Sequence, residues 1–468
     1  MNSHRPFDCV AVAPQPLSRR QALQTASAGF GWLAVSSLLA AEKSAAKPNR
    51  DPLVPKPTHF AARAKRVIFL CMQGAPSHVD TFDYKPKLNA DAGKPGGKGN
   101  LVGSPYPFQQ HGQSGLWISD LFQNLAKHAD DLCLLRSMTT DIPNHPQGFT
   151  MLHTGSTNFV RPSLGSWVLY GLGKESDDLP GFISLTPPLG NAGVFGSAFL
   201  PAIYQGQRIG ALKETEEALG SDAVNDIRNP KLTPERQRRQ LDLVQAMNRD
   251  LLVATGGDSE VEGIIQSYEQ AFVMQSSVPK VMDVSKEPQA MLDLYGVGGK
   301  RTDSFARQCL LARRFAEAGV RFIEITHGGW DHHSDLKARL GKGCSEIDQP
   351  IAGLLTDLKQ RDLLKDTLIV WGGEFGRTPD GKGGDGRNHN AKGFAMWMSG
   401  GGVKGGMSHG ATDDYGRVAV QQPMHIHDLH ATILAILGLD HERLTYEYAG
   451  RPFRLTNVSG IVAKDILA

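Results

Sequence analysis

A short apolar segment that runs into a glycine-rich loop constrains the fold of this chain more than any other feature. Residues 367–371 are apolar and rich in β-branched and aromatic side chains, and two glycines end the run, as expected for a buried strand. Glu374, Arg377 and His389 follow in the loop. Because sites in open α/β sheets lie at the carboxyl ends of parallel strands, the segment predicts such a sheet with a site at this edge. An exposed ion pair is the alternative interpretation of Glu374 and Arg377.

The composition is that of a globular chain with a large core. The 468 residues are 40% hydrophobic, which is enough for one large α/β domain with insertions or for two lobes. Lys and Arg total 50, Asp and Glu total 48, and no basic tract stands out. This balance excludes the charge pattern of a nucleic-acid-binding protein. We therefore expect a small molecule as the partner and no nucleic acid.

Residues 1–41 have the pattern of an export signal. Arg19 and Arg20 precede an apolar stretch rich in Ala, Gly and Ser that ends in small residues, as is typical of a twin-arginine signal peptide. The apolar part is too short and too polar for a stable membrane span after cleavage, so we expect a periplasmic or extracellular protein. An amphipathic helix of the mature protein is the alternative. Residues 42–62, rich in Lys, Pro and Ala, are interpreted as a linker.

Residues 63–468 are expected to form the mature α/β domain. Buried strands are predicted at residues 66–72, 132–136, 182–185, 320–326, 367–371 and 395–399. Cys71, inside the first strand, is interpreted as a small core residue. A helix capped by Ser119 is expected to extend to His128, and a helical insertion beside the sheet is predicted at about 229–300.

Three predicted strand ends deliver acidic and imidazole side chains. The candidate metal ligands are His78 and Asp80 after the first strand, Asp331 and His333 after the strand at 320–326, and Glu374 and His389 after the strand at 367–371. Mixed carboxylate and imidazole ligands suit zinc or manganese, and a position with more oxygen ligands suits calcium. We expect one or two divalent ions. Arg377 is the candidate catalytic clamp for an anion held beside the metal.

The histidines have structural explanations as well. His332 and His333 are adjacent, so only one of them points inwards on an extended backbone. His333 is favoured because Asp331 lies two residues before it, on the same side. His145, between an Asn and a Pro at a helix start, is open between a site residue and a turn residue, and His153 is interpreted as structural.

The order of these motifs resembles a family of exported proteins catalogued as domain of unknown function 1501. The resemblance rests on QGAPSHVDTFDYKPKL, NHPQGFTMLHTG, WDHH, GGEFGRTPDGKGGDGRNHN and HDLHATILAILGLD, and it covers the chain from about residue 60 onward. That family is similar in turn to the alkaline phosphatase and sulfatase superfamily. The resemblance implies a central, mostly parallel sheet with helices on both faces and a site for one or two metal ions at the strand ends.

The resemblance to sulfatases does not extend to the nucleophile. His145 stands where sulfatases have a modified cysteine at the start of a helix, and no Cys, Ser or Thr replaces it. We therefore expect direct attack by a metal-activated water, or His145 as nucleophile or ligand. The leading hypothesis is a metal-dependent hydrolase of a small sulfate or phosphate ester, or of a sulfated or phosphorylated carbohydrate. The alternative is a catalytically inactive relative that binds an anionic polysaccharide or serves in assembly.

Overall fold

The computed structural model describes residues 51–187, 192–210, 231–256, 258–381 and 385–468. The predicted signal peptide and residues 42–50 of the predicted linker lie outside these ranges. In the described part of the linker, Leu53 is buried and the backbone amide of Lys56 donates to the carbonyl of Leu172. Residues 52–62 of the predicted linker therefore belong to the compact unit that Pro52–Ala468 form. Within the described ranges, no helix is long and apolar enough to cross a membrane.

Nine strands in the described part of the chain form one sheet. They are β1 (Arg66–Met72), β2 (Leu132–Thr139), β3 (Phe182–Leu185), β4 (Gln207–Ile209), β5 (Phe322–His327), β6 (Thr367–Gly372), β7 (Phe394–Gly400), β8 (Met407–His409) and β9 (Met424–His425). The strand order is β8-β2-β7-β6-β1-β5-β3-β4, and β9 pairs with β2. Only β7 runs against its neighbours in this sheet, β6 and β2. The expected α/β class with a central, mostly parallel sheet is confirmed.

The sequence of β1 explains its central position. Its residues are buried throughout, as in strands that are covered on both faces. Ile68 and Leu70 point into one hydrophobic core, whereas Phe69 and Cys71 point into a second core, because successive side chains alternate across a strand. The sheet therefore separates two hydrophobic layers.

Helices cover both faces of the sheet, as expected. Those of seven or more residues in the described ranges are α1 (His145–Thr154), α2 (Leu164–Leu172), α3 (Pro234–Ala254), α4 (Ser259–Met282), α5 (Gln289–Tyr295), α6 (Asp303–Glu317), α7 (Leu336–Gln360) and α8 (Ile426–Ile436). Helices α6 and α7 pack in the core that contains Ile68, and α1, α2 and α8 pack in the core that contains Phe69. Helices α3, α4 and α5 lie within the predicted insertion.

The segment predicted as a helix from Ser119 to His128 is different in the structure. Two 3-10 segments, Asp120–Phe122 and Leu125–Asp131, take its place, and His128 has non-helical backbone angles. The carboxylate of Asp348 on α7 accepts hydrogen bonds from the backbone amides of residues 124 and 125. A tertiary contact thus satisfies donors that would otherwise need a continuous helix.

Candidate metal centre

Three neighbouring strands carry the candidate residues to one edge of the sheet. Strand β1 lies between β5 and β6 and is parallel to both, with Met72 opposite His327. The loops after these strands therefore leave the sheet side by side. Gly74 allows their close approach, because it has a φ of 105° and a Cβ at this position would lie 2.9 Å from the backbone nitrogen of Asp331.

One carboxylate oxygen, Oδ1 of Asp331, lies at the centre of the site. It is 2.7 Å from Nη2 of Arg377 and 3.0 Å from Nε2 of His333. The Nε2 atoms of His145 and His389 are each 3.2 Å from the same oxygen. The Nε2 atoms of His333 and His389 are 3.0 Å apart, and ligand atoms of His145, Asp331 and His389 all lie within 4.8 Å of one another. Imidazoles from three parts of the chain thus converge on one carboxylate.

The opposite ring nitrogens of two of these histidines fix their tautomers. Nδ1 of His389 lies 2.9 Å from the carbonyl oxygen of Pro143, which can only accept, so Nδ1 carries the proton. Nδ1 of His145 lies 2.6 Å from Oε1 of Glu374. In the neutral rings, both Nε2 atoms then present lone pairs towards Asp331. This arrangement, with an outer acceptor behind each imidazole, is typical of histidines that bind a metal ion.

The start of α1 positions His145. The preceding residue, Asn144, has an extended backbone, and Pro146 occupies the first turn, where its missing amide hydrogen costs nothing. The buried ring of Phe375 packs against both imidazoles, with its centroid 4.8 Å from that of His145 and 4.7 Å from that of His389, and the two imidazole centroids are 4.4 Å apart. Packing therefore limits rotation of both rings.

The charges of the site act strongly on its titratable groups. Burial would raise the pKa of Asp331, but the Arg377 guanidinium and the neighbouring histidines hold it well below its usual range. Burial also lowers the pKa of His389, and only part of this effect is offset by the hydrogen bond to Pro143. For His145, burial lowers the pKa, but the hydrogen bond to Glu374 and the charges of Glu374 and Asp331 raise it by a larger amount, so that it lies above the usual value for histidine. His145 therefore holds a proton more readily than His389 when no metal is bound.

Arg377 is 1% exposed and is held by the loops around it. Its Nε donates to the carbonyl of Ala75 at 2.9 Å, and its Nη2 contacts the carbonyls of Gly74 and Trp330 as well as Asp331. These contacts orient Asp331 towards the histidines. The predicted role as an anion clamp stays a prediction. Nη1 is the guanidinium nitrogen that remains available to an anion, because it is buried without a hydrogen-bond partner in the described part of the chain.

Glu374 lies behind His145, on the side of the ring that faces away from Asp331. Its carboxylate accepts from the backbone amide of Gly74 at 3.0 Å and contacts His145, and it is 0% exposed. Glu374 was a candidate ligand in the sequence. Its observed contacts make it the group that orients His145.

The other two candidate ligands, His78 and Asp80, are engaged elsewhere. Both carboxylate oxygens of Asp80 contact the buried guanidinium of Arg387, at 2.6 and 2.9 Å, and the Ser77 hydroxyl donates to one of them. Nε2 of His78 lies 2.7 Å from the carbonyl oxygen of Gly416. The Asp80 contacts use both carboxylate oxygens, whereas Nδ1 of His78 is buried without a partner in the described part of the chain. Neither residue belongs to a group of potential ligands among the described residues, so we leave both out of the proposed ligand group.

Sequence analysis missed three residues that shape the site: Pro143, Phe375 and Arg387. A proline carbonyl that accepts from a histidine has no sequence signature. Phe375 follows Glu374 directly and could have been noticed as an apolar residue within a polar loop. Arg387 lies two residues before His389, but only the fold brings it to Asp80.

Comparisons with known proteins agree with the expected family. No curated protein matches the sequence significantly. The chain is similar to the PsFucS1 sulfatase from Pseudoalteromonas sp., with 14% identity, coverage of 87% of this chain and 72% of that chain, and a TM-score of 0.36. It is also similar to the lipoteichoic acid synthase LtaP from Listeria monocytogenes, with 9% identity, coverage of 86% of this chain and 78% of that chain, and a TM-score of 0.33. A third similar structure is the C-terminal periplasmic domain of EcEptC from Escherichia coli, in complex with Zn. The identity is 9%, the coverage is 84% of this chain and 88% of that chain, and the TM-score is 0.34. The sequence model described as protein of unknown function (DUF1501) matches residues 64–467, and the chain therefore belongs to the DUF1501 family.

Proposed function

We propose that this protein is a metal-dependent hydrolase of anionic esters, with His145, Asp331, His333 and His389 as the metal ligands. The convergence of three imidazole Nε2 atoms on one carboxylate oxygen supports this proposal. Two lone pairs that face each other at about 3 Å repel unless a proton or a cation lies between them. One divalent cation would satisfy the ligand atoms of His145, Asp331 and His389, which lie within 4.8 Å of one another. His333, whose Nε2 is 3.0 Å from Asp331 and from His389, is the proposed fourth ligand.

The donor set favours zinc or manganese. Three imidazole nitrogens and one carboxylate oxygen are ligands that these ions accept, whereas calcium takes six to eight oxygen ligands. When bound, such a cation would polarise an ester oxygen as a Lewis acid. The divalent cation and Arg377 carry three positive charges, and the carboxylates of Asp331 and Glu374 carry two negative charges. The net charge of the loaded site is therefore positive, which favours an anionic ligand such as a sulfate or phosphate ester.

The chain's own residues divide the remaining tasks. Arg377 orients Asp331, and its buried Nη1 is the donor proposed for the anion. Glu374 orients His145 and keeps the proton of that ring on Nδ1. No Ser, Thr or Cys stands at the position of His145, so we propose that water attacks the ester directly. A small ester or a sulfated or phosphorylated carbohydrate is the proposed substrate, and the paired arginines near the N-terminus support export by the twin-arginine route.

The missing nucleophile also supports a second candidate, an inactive protein that binds an anionic polysaccharide. Rates on a panel of aryl sulfates and aryl phosphates, measured with protein purified in the presence of zinc or manganese, separate the two. We expect turnover of one ester class, its loss in Glu374→Gln, and normal turnover in Asp335→Asn, a matched change outside the ligand group. Saturable binding of esters without turnover of either class would contradict the hydrolase and favour the binding protein.

A further inference from the structure

A second group of potential ligands lies in the core below the candidate metal centre. Cys71 on β1, His153 on α1 and Glu324 on β5 are 0%, 3% and 1% exposed. Their side chains lie on the sheet face covered by α1, because Phe69 on that face pairs with Glu324 and Cys71 pairs with Thr326. A histidine and a glutamate are costly to bury in an apolar core unless they are paired, and here a cysteine thiol lies beside the pair.

The ligand atoms of these three residues face one another. Nε2 of His153 lies 2.8 Å from Oε1 of Glu324 and 4.0 Å from Sγ of Cys71, and all three atoms fall within 4.8 Å. In a tetrahedral zinc site the corresponding distances between donor atoms are about 3.4–3.6 Å. The observed separations bracket these values, so small shifts of the side chains would place all three donors on one ion.

The tautomer of His153 is also that of a metal ligand. Its Nδ1 lies 2.7 Å from the carbonyl oxygen of Phe149, one helical turn earlier, and this oxygen can only accept. The neutral ring therefore presents a lone pair at Nε2 to the carboxylate of Glu324. Burial lowers the pKa of His153, but the Glu324 carboxylate raises it by a larger amount. A proton therefore lies between the two side chains when no cation is bound.

Two buried hydroxyls provide an independent sign that the group is incomplete. Ser184 pairs with Glu324 in the sheet, and Thr326 pairs with Cys71, so both hydroxyls belong to the same face. Ser184 and Thr326 are 0% and 1% exposed, and neither hydroxyl has a hydrogen-bond partner in the part of the chain that the structure describes. Buried hydroxyls without a protein partner need a bound water or ion beside them, and an ion held by the neighbouring Cys71 and Glu324 would supply one.

We propose that Cys71, His153 and Glu324 form a second, buried site for a divalent cation of the zinc class. A thiolate, a carboxylate and a neutral imidazole balance the charge of such an ion, so the loaded site is neutral and its burial carries no net charge. Binding releases the thiol proton of Cys71 and the proton held by His153, and no bond other than these N–H and S–H bonds breaks. The ion would cross-link helix α1 to strands β1 and β5.

This site differs from the candidate metal centre in having a sulfur ligand, and cobalt substitution reports that difference directly. We expect full-length protein expressed with cobalt to show a thiolate-to-cobalt charge-transfer band in the near ultraviolet. The band should disappear in Cys71→Ser and persist in Cys133→Ser, a matched change at another buried cysteine. No band in the wild type, or a band that survives Cys71→Ser, would overturn the proposal.

The outcome is independent of the hydrolase proposal. His389→Ala removes a proposed ligand of the candidate metal centre, so it should lower the metal content by one equivalent and leave the thiolate-to-cobalt band unchanged. If Cys71→Ser fails to fold, X-ray absorption of the wild-type zinc protein decides: a sulfur neighbour at about 2.3 Å supports the buried site, and a shell of only nitrogen and oxygen contradicts it.

Discussion

At Asp331, side chains from four other positions meet at one oxygen atom. Arg377 supplies a positive charge, and the three histidines supply ring nitrogens, of which those of His145 and His389 belong to rings that packing holds in place. A proton on His145 relieves the repulsion at one of these nitrogens. A divalent cation would relieve it at all three, which is why we place the metal at this point.

Replacing Asp331 with Asn keeps the size of the side chain and removes its charge. We expect metal affinity to fall by more than the roughly 10–100-fold that loss of an outer partner costs. The metal-free variant should also be less stable than the wild type, because the buried guanidinium of Arg377 loses its ion-pair partner. Competition with a chelator measures the affinity. Asp335→Asn, in the same loop but outside the ligand group, should bind metal normally; equal affinities for the two variants would contradict the assignment.

The pKa of His145 gives metal binding a defined pH dependence. Burial lowers this pKa, but Glu374 raises it above the ordinary value for histidine. Because the metal requires the unprotonated Nε2, affinity should be constant above the raised pKa and fall about tenfold per pH unit below it. In Glu374→Gln the fall should begin at lower pH. Affinities measured by titration calorimetry that do not change across this range would show that His145 is not a ligand.

Sequence reasoning found the residue types of the site but not all of their roles. His145, Asp331, His333 and His389 could be named because they follow strand ends or begin a helix. The place of Glu374 behind His145 depends on which nitrogen of the ring faces it, and sequence does not specify this. His78 and Asp80 had the right pattern, but their partners Gly416 and Arg387 come from distant loops.

Among the elements, the loop that contains Gly386 holds the His333 segment in place. A Cβ at Gly386 would lie 1.9 Å from the carbonyl oxygen of His333, far inside van der Waals contact. We expect Gly386→Ala to displace His333 and lower the metal content of the purified protein. Gly328→Ala is the control, since a Cβ there would meet only the side chain of Gln73 at 4.0 Å. Full metal content in Gly386→Ala would contradict this role.

The ion pair of Asp80 and Arg387 joins the loop after β1 to the loop that carries His389. Both side chains are fully buried, so removing one partner leaves an uncompensated charge. We expect Arg387→Met to lower the free energy of unfolding by about 3–5 kcal/mol. The double variant Asp80→Leu, Arg387→Met should recover part of this loss, as measured by urea denaturation. A double variant less stable than Arg387→Met would contradict the explanation.

Strands were easier to predict than short helices. Strand β1 is buried on both faces, so its apolar run identified it without knowledge of its neighbours. The segment after Ser119 has a capping residue and a helical pattern, but Asp348 on α7 supplies acceptors that favour 3-10 turns. Such contacts between distant segments are not visible in a local pattern.

At the scale of the whole molecule, helix α1 connects the two proposed metal sites. His145 lies in its first turn and His153 in its last, about 12 Å apart along the axis by the helical rise. The parallel arrangement of β5, β1 and β6 was predictable from the apolar runs and the residues that follow them. The reversed strand β7 and the packing of the described linker segment on the domain were not, because they depend on tertiary contacts.

Anomalous diffraction from crystals grown with zinc, recorded at the zinc edge, tests the metal centre most directly. The account predicts a peak about 2.0–2.2 Å from the Nε2 atoms of His145, His333 and His389 and from a carboxylate oxygen of Asp331. No peak at that position, or a peak held instead by His78 and Asp80, would contradict it.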